Sequence, residues 1–213
     1  MFIRVGQFIS ALMIVLSFNA FAEGEWDEAS AVIKDATEQV LSSIHNKEYS
    51  TDTEEGIEML IKEMGAILDP VVDFPYISKL VMGKNYRRAP QAAQAQFADV
   101  FRHTLLKTYT KALLGFDIVS YEINPPRTPS PKPINQIVNV TVKSDAGVEY
   151  ALVYYMTKKS GSWKLVNVEV DGLNIRNTFR GQFADLTEQN KGDVQAAVDA
   201  WAAHVSKNEV GAK

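Results

Sequence analysis

The stretch LVMGKNYRRAP, residues 80–90, sets Lys84, Tyr86, Arg87 and Arg88 directly behind an apolar run. Such a cluster can hold a partner by charge, or it can be a solvated turn ahead of a helix. A general nucleic-acid surface is the wrong reading, because the chain carries a formal net charge of −4 and a nucleic-acid binder usually has a dominant basic face. Covalent chemistry has little to work with. The three histidines, His45, His103 and His204, fall on three different expected helices, with no H-E-x-x-H spacing, no G-x-S-x-G elbow and no Gly-rich phosphate loop. Asp69, Asp73 and Asp171 are explained more simply as helix-ending or turn-forming residues than as bases. No nucleophile and base stand in a suggestive relation, so no enzyme, no metal site and no cofactor are expected.

The elements that must position these groups belong to a chain of 213 residues, 46% hydrophobic and 23% charged, which suits one globular domain. Its first 22 residues read as a secretory leader. Arg4 supplies the charged start, Phe8 to Phe18 is mostly apolar, and Ala20-Phe21-Ala22 offers a cleavage site before Glu23. Ser10, Ser17 and Asn19 interrupt the apolar run, which falls short of the ~20 residues that a spanning helix needs. The expected mature chain, residues 23–213, loses only Arg4 among its charges. It has no cysteine, so burial rather than disulfides must hold an exported fold, and no lipid-modified cysteine can anchor it.

Apolar residues Trp26, Ala29, Ile33, Ala36, Val40 and Ile44 recur at helical spacing and predict a helix over 25–45. A second helix follows, capped by Thr53, striped by Ile57, Leu60, Ile61, Met64 and Leu68, and ended by Asp69-Pro70. Residues 71–82, broken by Pro75, predict one or two helical turns leading to Gly83. After Pro90 a long helix carries Phe97, Val100, Phe101, Thr104, Leu105, Thr108, Tyr109 and Leu113, with Gln94, Asp99, Arg102, His103 and Lys107 expected to face water. The period then changes to two, predicting strands over 116–123, 136–143, 148–157 and 163–170. Asp145-Ala146-Gly147 and Lys159 to Ser162 are the hairpin turns. PPRTPSPKP, with five of the eight prolines, predicts a stiff surface loop. Two closing helices carry Ile175, Phe179, Phe183 and Leu186, then Val194, Val198, Trp201 and Val205. The order gives an α+β fold with helices packed on a curved four-stranded antiparallel sheet.

Both faces of that sheet look apolar. Val148, Tyr150, Leu152, Tyr154 and Met156 point one way and Ala151, Val153 and Tyr155 the other; Trp163 and Leu165 likewise oppose Val166, Val168 and Val170. Either helices cover both faces, or one face borders an apolar cavity, because pockets and cores use the same residues.

Three motifs in order carry a resemblance. They are Gly83, Lys84, Tyr86 and Arg87 in DPVVDFPYISKLVMGKNYRRA; Phe97, Phe101, Leu105 and Tyr109 in QFADVFRHTLLKTYTKALL; and Asp171, Gly172, Leu173, Asn174, Ile175, Phe179, Arg180 and Phe183 in DGLNIRNTFRGQF. Together they resemble the MlaC family, also called the toluene-tolerance Ttg family of periplasmic phospholipid carriers. Asn174 stands where many members have serine, and the ending GDVQAAVDAW is similar to a pseudomonad-type branch. The resemblance implies a cone similar to nuclear transport factor and cystatin-like domains, with a lipid-tail cavity inside. It also implies a glycerophospholipid ligand, an inner-membrane ABC transporter complex with an MCE-domain protein as one partner, and an outer-membrane lipoprotein–porin complex as the other. Acyl-chain contacts are then expected from Phe74, Ile77, Val81, Phe101, Leu105, Tyr109, Val140, Leu152, Tyr154, Val166, Val168 and Ile175. Lys84, Tyr86 and Arg87 are expected to touch the headgroup phosphate or a partner. A docking scaffold with a solid core is the competing reading, and a hydrolase or isomerase on the same cone is a third.

Overall fold

The computed structural model describes residues 20–45 and 53–210, and side chains within 24–203 of these. The expected leader therefore lies outside the described residues except for its last three. Helices α1 (Ala20–His45), α2 (Glu54–Leu68) and α3 (Phe74–Met82) come first, followed by a 3-10 helix over Gly83–Arg88 and the long α4 (Gln91–Leu114). Strands β1 (Ile118–Asn124), β2 (Asn135–Ser144), β3 (Glu149–Thr157), β4 (Lys164–Val170) and β5 (Leu173–Asn174) follow, then α5 (Ile175–Gln189) and α6 (Val194–Val210).

Local chemistry sets these bounds. Thr53 caps α2 by accepting from the Gly56 N–H, and Asp73 caps α3 by accepting from Tyr76 N–H. Pro75 therefore sits in the first turn of α3, where its missing N–H would have no intrahelical partner anyway, and starts the helix instead of breaking it. Gly83, at φ +56°, turns the chain out of α3 into the 3-10 helix, an element with no apolar period to announce it. Asn174 caps α5 through Asn177 N–H.

The sheet is an antiparallel meander in the order β1-β2-β3-β4-β5, one strand more than the alternation predicts. The fifth strand is two residues long and returns through Asp171 and Gly172, both at positive φ. In-register rungs fix the faces: Ile123, Val140, Leu152 and Val170 share one, as do Val138, Tyr154 and Val168. A β-bulge between Tyr155 and Met156 leaves Val166 without a partner. The extra residue shifts the phase, so Leu165 joins Val168 and Val170 on the face from which alternation separates it.

Helix α1 lies on β2, and α3 and α5 flank β4. Both hydrophobic faces are not covered as expected: Ile137 and Ala151 on the outer face are exposed and Val153 and Tyr155 half-buried. Three cores result. Val138, Val140, Met156 and Trp163 pack under Ala29 and Ile33 of α1; Leu60, Ile61 and Met64 of α2 meet Phe74 and Leu106; and α3, α4, α5 and α6 close on Phe97, Phe101, Phe183 and Trp201. Lys107 does not face water as its position on α4 suggested. It is 9% exposed, because α2 crosses that face of α4 and brings Glu58 within 3.6 Å of its ammonium.

Candidate functional site

The inner face of the sheet holds apolar side chains that remain half-buried although helices surround them: Leu152, Tyr154, Val168 and Val170. Tyr154 is the clearest. Burial alone pushes its hydroxyl up to about 12, and no hydrogen-bond partner satisfies that hydroxyl among the described residues. The residue is nevertheless only half-buried. Its ring and Leu152 pack against the core of Val138, Val140 and Met156 beneath α1, and the surface they keep is where a recess between sheet and helices could open. Tyr109 behaves similarly: burial raises its pKa while 37% of the residue stays accessible.

The structure divides the expected acyl-chain contacts into groups. Ile77, Val81 and Phe101 sit in the helical core, where Phe97 and Phe101 rings lie 5.6 Å apart and Phe97 meets Trp201 edge-on at 5.4 Å. Phe74 is buried between α2 and α4, and Val140 beneath α1. Leu105, Leu152, Tyr154, Val168 and Ile175 are half-buried, and Tyr109 is exposed. Val166, the bulge residue, lines a groove that opens on the outer face.

Lys84 and Arg87 are exposed, and Tyr86 is half-buried with the Lys79 ammonium 5.3 Å above its ring. A Cβ on Gly83 would meet Arg180 Nε at 3.2 Å, and one on Gly192 would meet Arg88 Nη2 at 3.9 Å. Arg180 and Arg88 therefore extend the same basic surface across α5 and the α5–α6 turn. The surface stands at the N-terminal end of α4. From Gln91 to Tyr109 the helix rises about 27 Å, so the basic group and Tyr109 are far apart.

Periodicity did not single out the exposed apolar residues Phe116, Val119, Val148 and Leu173 as functional candidates. Phe116, whose ring meets Tyr150 edge-on at 5.2 Å, continues the Tyr109 end of α4. Its one signal in the sequence is an aromatic residue directly after the helix-ending Gly115.

The described residues hold no group of three or more His, Asp or Glu side chains arranged to bind a metal, and no helix among them is long and apolar enough to cross a membrane. Two amide oxygens, Asn85 Oδ1 and Asn167 Oδ1, and the indole nitrogen of Trp201 are buried without a partner. Each such atom costs about 1–3 kcal/mol of lost hydration. Asn85 still donates to Thr187 Oγ1 at 3.3 Å, which ties the basic segment to α5. The outer-face groove has a volume of about 460 Å³ and runs from the proline-rich loop across β2, β3 and β4 to Tyr76 and Arg176.

The family model described as MlaC protein matches residues 34–203. Toluene tolerance protein Ttg2D of Pseudomonas putida is 34% identical over 145 residues, which is 68% of this chain and 66% of that relative's length. Among solved structures, a phospholipid-binding protein from Ralstonia solanacearum, determined in complex with a phospholipid, is similar with a TM-score of 0.70 at 26% identity. The likeness covers 84% of this chain and 99% of that one.

Proposed function

The chain belongs to the MlaC family, and from that premise we propose that it is a periplasmic carrier of glycerophospholipid. The acyl chains occupy the recess between the sheet's inner face and the helices. The observation that carries this reading is the inner sheet face, whose Leu152, Tyr154, Val168 and Val170 stay half-buried. The phospholipid held by the similar Ralstonia protein supports it. Leu105, Tyr109, Leu152, Val168 and Ile175, all incompletely buried, are the side chains best suited to touch the acyl chains.

Burying acyl chains gains about 0.8 kcal/mol per methylene, so a two-chain lipid of ~30 methylenes would lose on the order of 20 kcal/mol if drawn bare into water. A recess as apolar as the bilayer removes most of that barrier. Exchange with a membrane complex can then be nearly neutral in free energy and needs no covalent step. In this reading the protein leaves its membrane by cleavage after Ala22. It moves phospholipid between an inner-membrane ABC transporter complex containing an MCE-domain protein and an outer-membrane lipoprotein–porin complex, and so maintains outer-membrane lipid asymmetry.

Native mass spectrometry of protein purified without detergent tests the reading directly. A bound phospholipid, and uptake of labelled phospholipid from vesicles, are the expected results. Absence of both would establish a docking scaffold instead, and lipid returned chemically altered would establish an enzyme. Leu152→Arg places a charge in the recess and should abolish uptake while circular dichroism reports a folded protein. A folded variant with normal uptake would remove Leu152 from the lipid site.

A further inference from the structure

The rung formed by Ile137, Tyr155 and Asn167 lies on the sheet face opposite to Val138, Tyr154 and Val168, and it floors the groove of about 460 Å³. Three cations reach this groove from separate elements: Lys132 from the β1–β2 loop, Lys159 from the β3–β4 turn and Arg176 from the first turn of α5. None of the three forms an ion pair among the described residues. Glu169, next to Asn167 in register on that face, accepts hydrogen bonds at one oxygen, Oε1, from Tyr155 Oη and Asn174 Nδ2. Tyr76 and Tyr155 supply aromatic walls, with the Lys159 ammonium 5.9 Å from the Tyr76 ring centroid. On the floor, Asn167 is 4% exposed and its Oδ1 has no partner.

These features ask for one kind of ligand. Three unpaired cations need concentrated negative charge, and two phenol rings suit a carbon frame with C–H faces. We propose that the groove is a binding site for a phosphorylated sugar or polyol, separate from the apolar recess on the other face. Lys132 and Lys159 act on the phosphate as point charges, Arg176 grips it with its planar fork, and the Tyr76 and Tyr155 rings flank the ligand's carbon frame. The volume lies within the range of small-molecule sites. The same phosphate and hydroxyls can arrive on a free metabolite or on a lipid headgroup presented at a membrane. The site stands on the outer-face geometry and does not depend on the recess holding lipid.

Titration of the isotope-labelled protein with glucose 6-phosphate, followed by amide chemical shifts, tests the site. Saturable shifts are expected at Tyr155, Asn167 and Arg176, and Lys159→Ala or Arg176→Ala should each weaken binding about tenfold. Glucose alone and inorganic phosphate alone should bind more weakly than the ester. Tyr76→Ala, which removes one aromatic wall, should erase the preference for the ester over inorganic phosphate; the two surface variants keep the test intact if that change unfolds the protein. Phosphatidylglycerol vesicles that displace glucose 6-phosphate, where phosphatidylcholine vesicles do not, would assign the ligand to a headgroup; failure of both to displace it would assign a free phosphorylated compound. Lack of saturable shifts overturns the proposal, and equal binding of inorganic phosphate overturns it as an adventitious ion only. Mass-spectrometric lipid occupancy should be unchanged in Lys159→Ala and Arg176→Ala, and its loss would overturn the separation of the two sites.

Discussion

At the scale of single residues, the informative pair is Tyr154 and Tyr155, neighbours on β3 whose side chains face opposite ways. Tyr155 is bonded through its hydroxyl to Glu169 at 2.9 Å, whereas Tyr154 is raised to about 12 by burial alone. Because the folded pKa of Tyr154 lies above its ordinary value of 10.0, the native protein binds more protons than the unfolded chain between those two values. The stability tied to that phenol is fully present below 10 and lost as pH rises towards about 12. Tyr154→Phe should therefore lose less stability than the parent over that interval, as measured by denaturant midpoints; equal losses would place the hydroxyl in water. The sequence does show that Tyr154 and Leu152 share a face, since alternation is a local property of the strand. It does not show whether that face meets packed atoms or a void. Phe101 and Leu105 illustrate this, both on the apolar stripe of α4, one 0% exposed within an aromatic core and the other half-buried.

At the scale of elements, helix ends were legible where a side chain does the capping, as at Thr53, and obscure where the backbone conformation does the work. The turn at Asp171-Gly172 is one such case. A D-G pair at positive φ marks a tight hairpin, but the returning strand of two residues is too short to show a period. Val166 is another, since a bulge changes the phase of a strand without changing its composition. Gly83 is the third, and it carries a prediction. Its φ of +56° is disfavoured for any residue with a Cβ, and that Cβ would press on Arg180 Nε at 3.2 Å. Gly83→Ala should destabilise the protein by about 1–3 kcal/mol. Gly181→Ala, on an exposed part of α5 with no atom within 4 Å of the new methyl, should be neutral or stabilising by up to ~1 kcal/mol. Thermal unfolding of the two variants side by side separates the need for a turn at Gly83 from a general dislike of added methyls. Equal effects would show that the α3-to-3-10 junction does not depend on glycine.

At the scale of the whole molecule, the length of α4 bears on the two roles open to Lys84 and Arg87. Helix α4 is the ruler: its N-terminal end adjoins the 3-10 helix over Gly83–Arg88, and Tyr109 stands about 27 Å further along. Between these ends, Phe97, Phe101, Phe183 and Trp201 form a buried aromatic cluster with ring centroids 4.6–6.2 Å apart. If the acyl chains lie at the Tyr109 end, a phosphate at Lys84 would stand on the far side of that cluster. Lys84, Arg87, Arg88 and Arg180 instead present exposed positive charge on a chain of net charge −4, an arrangement suited to steering an acidic protein surface. Reversing both charges, Lys84→Glu with Arg87→Glu, should leave phospholipid occupancy unchanged in native mass spectrometry. The same double variant should slow association with the partner complex about tenfold or more at low salt, with the difference shrinking as ionic strength rises. Loss of lipid with normal partner association would instead put the headgroup at this end of α4, and the acyl chains would then have to enter between α3 and α5.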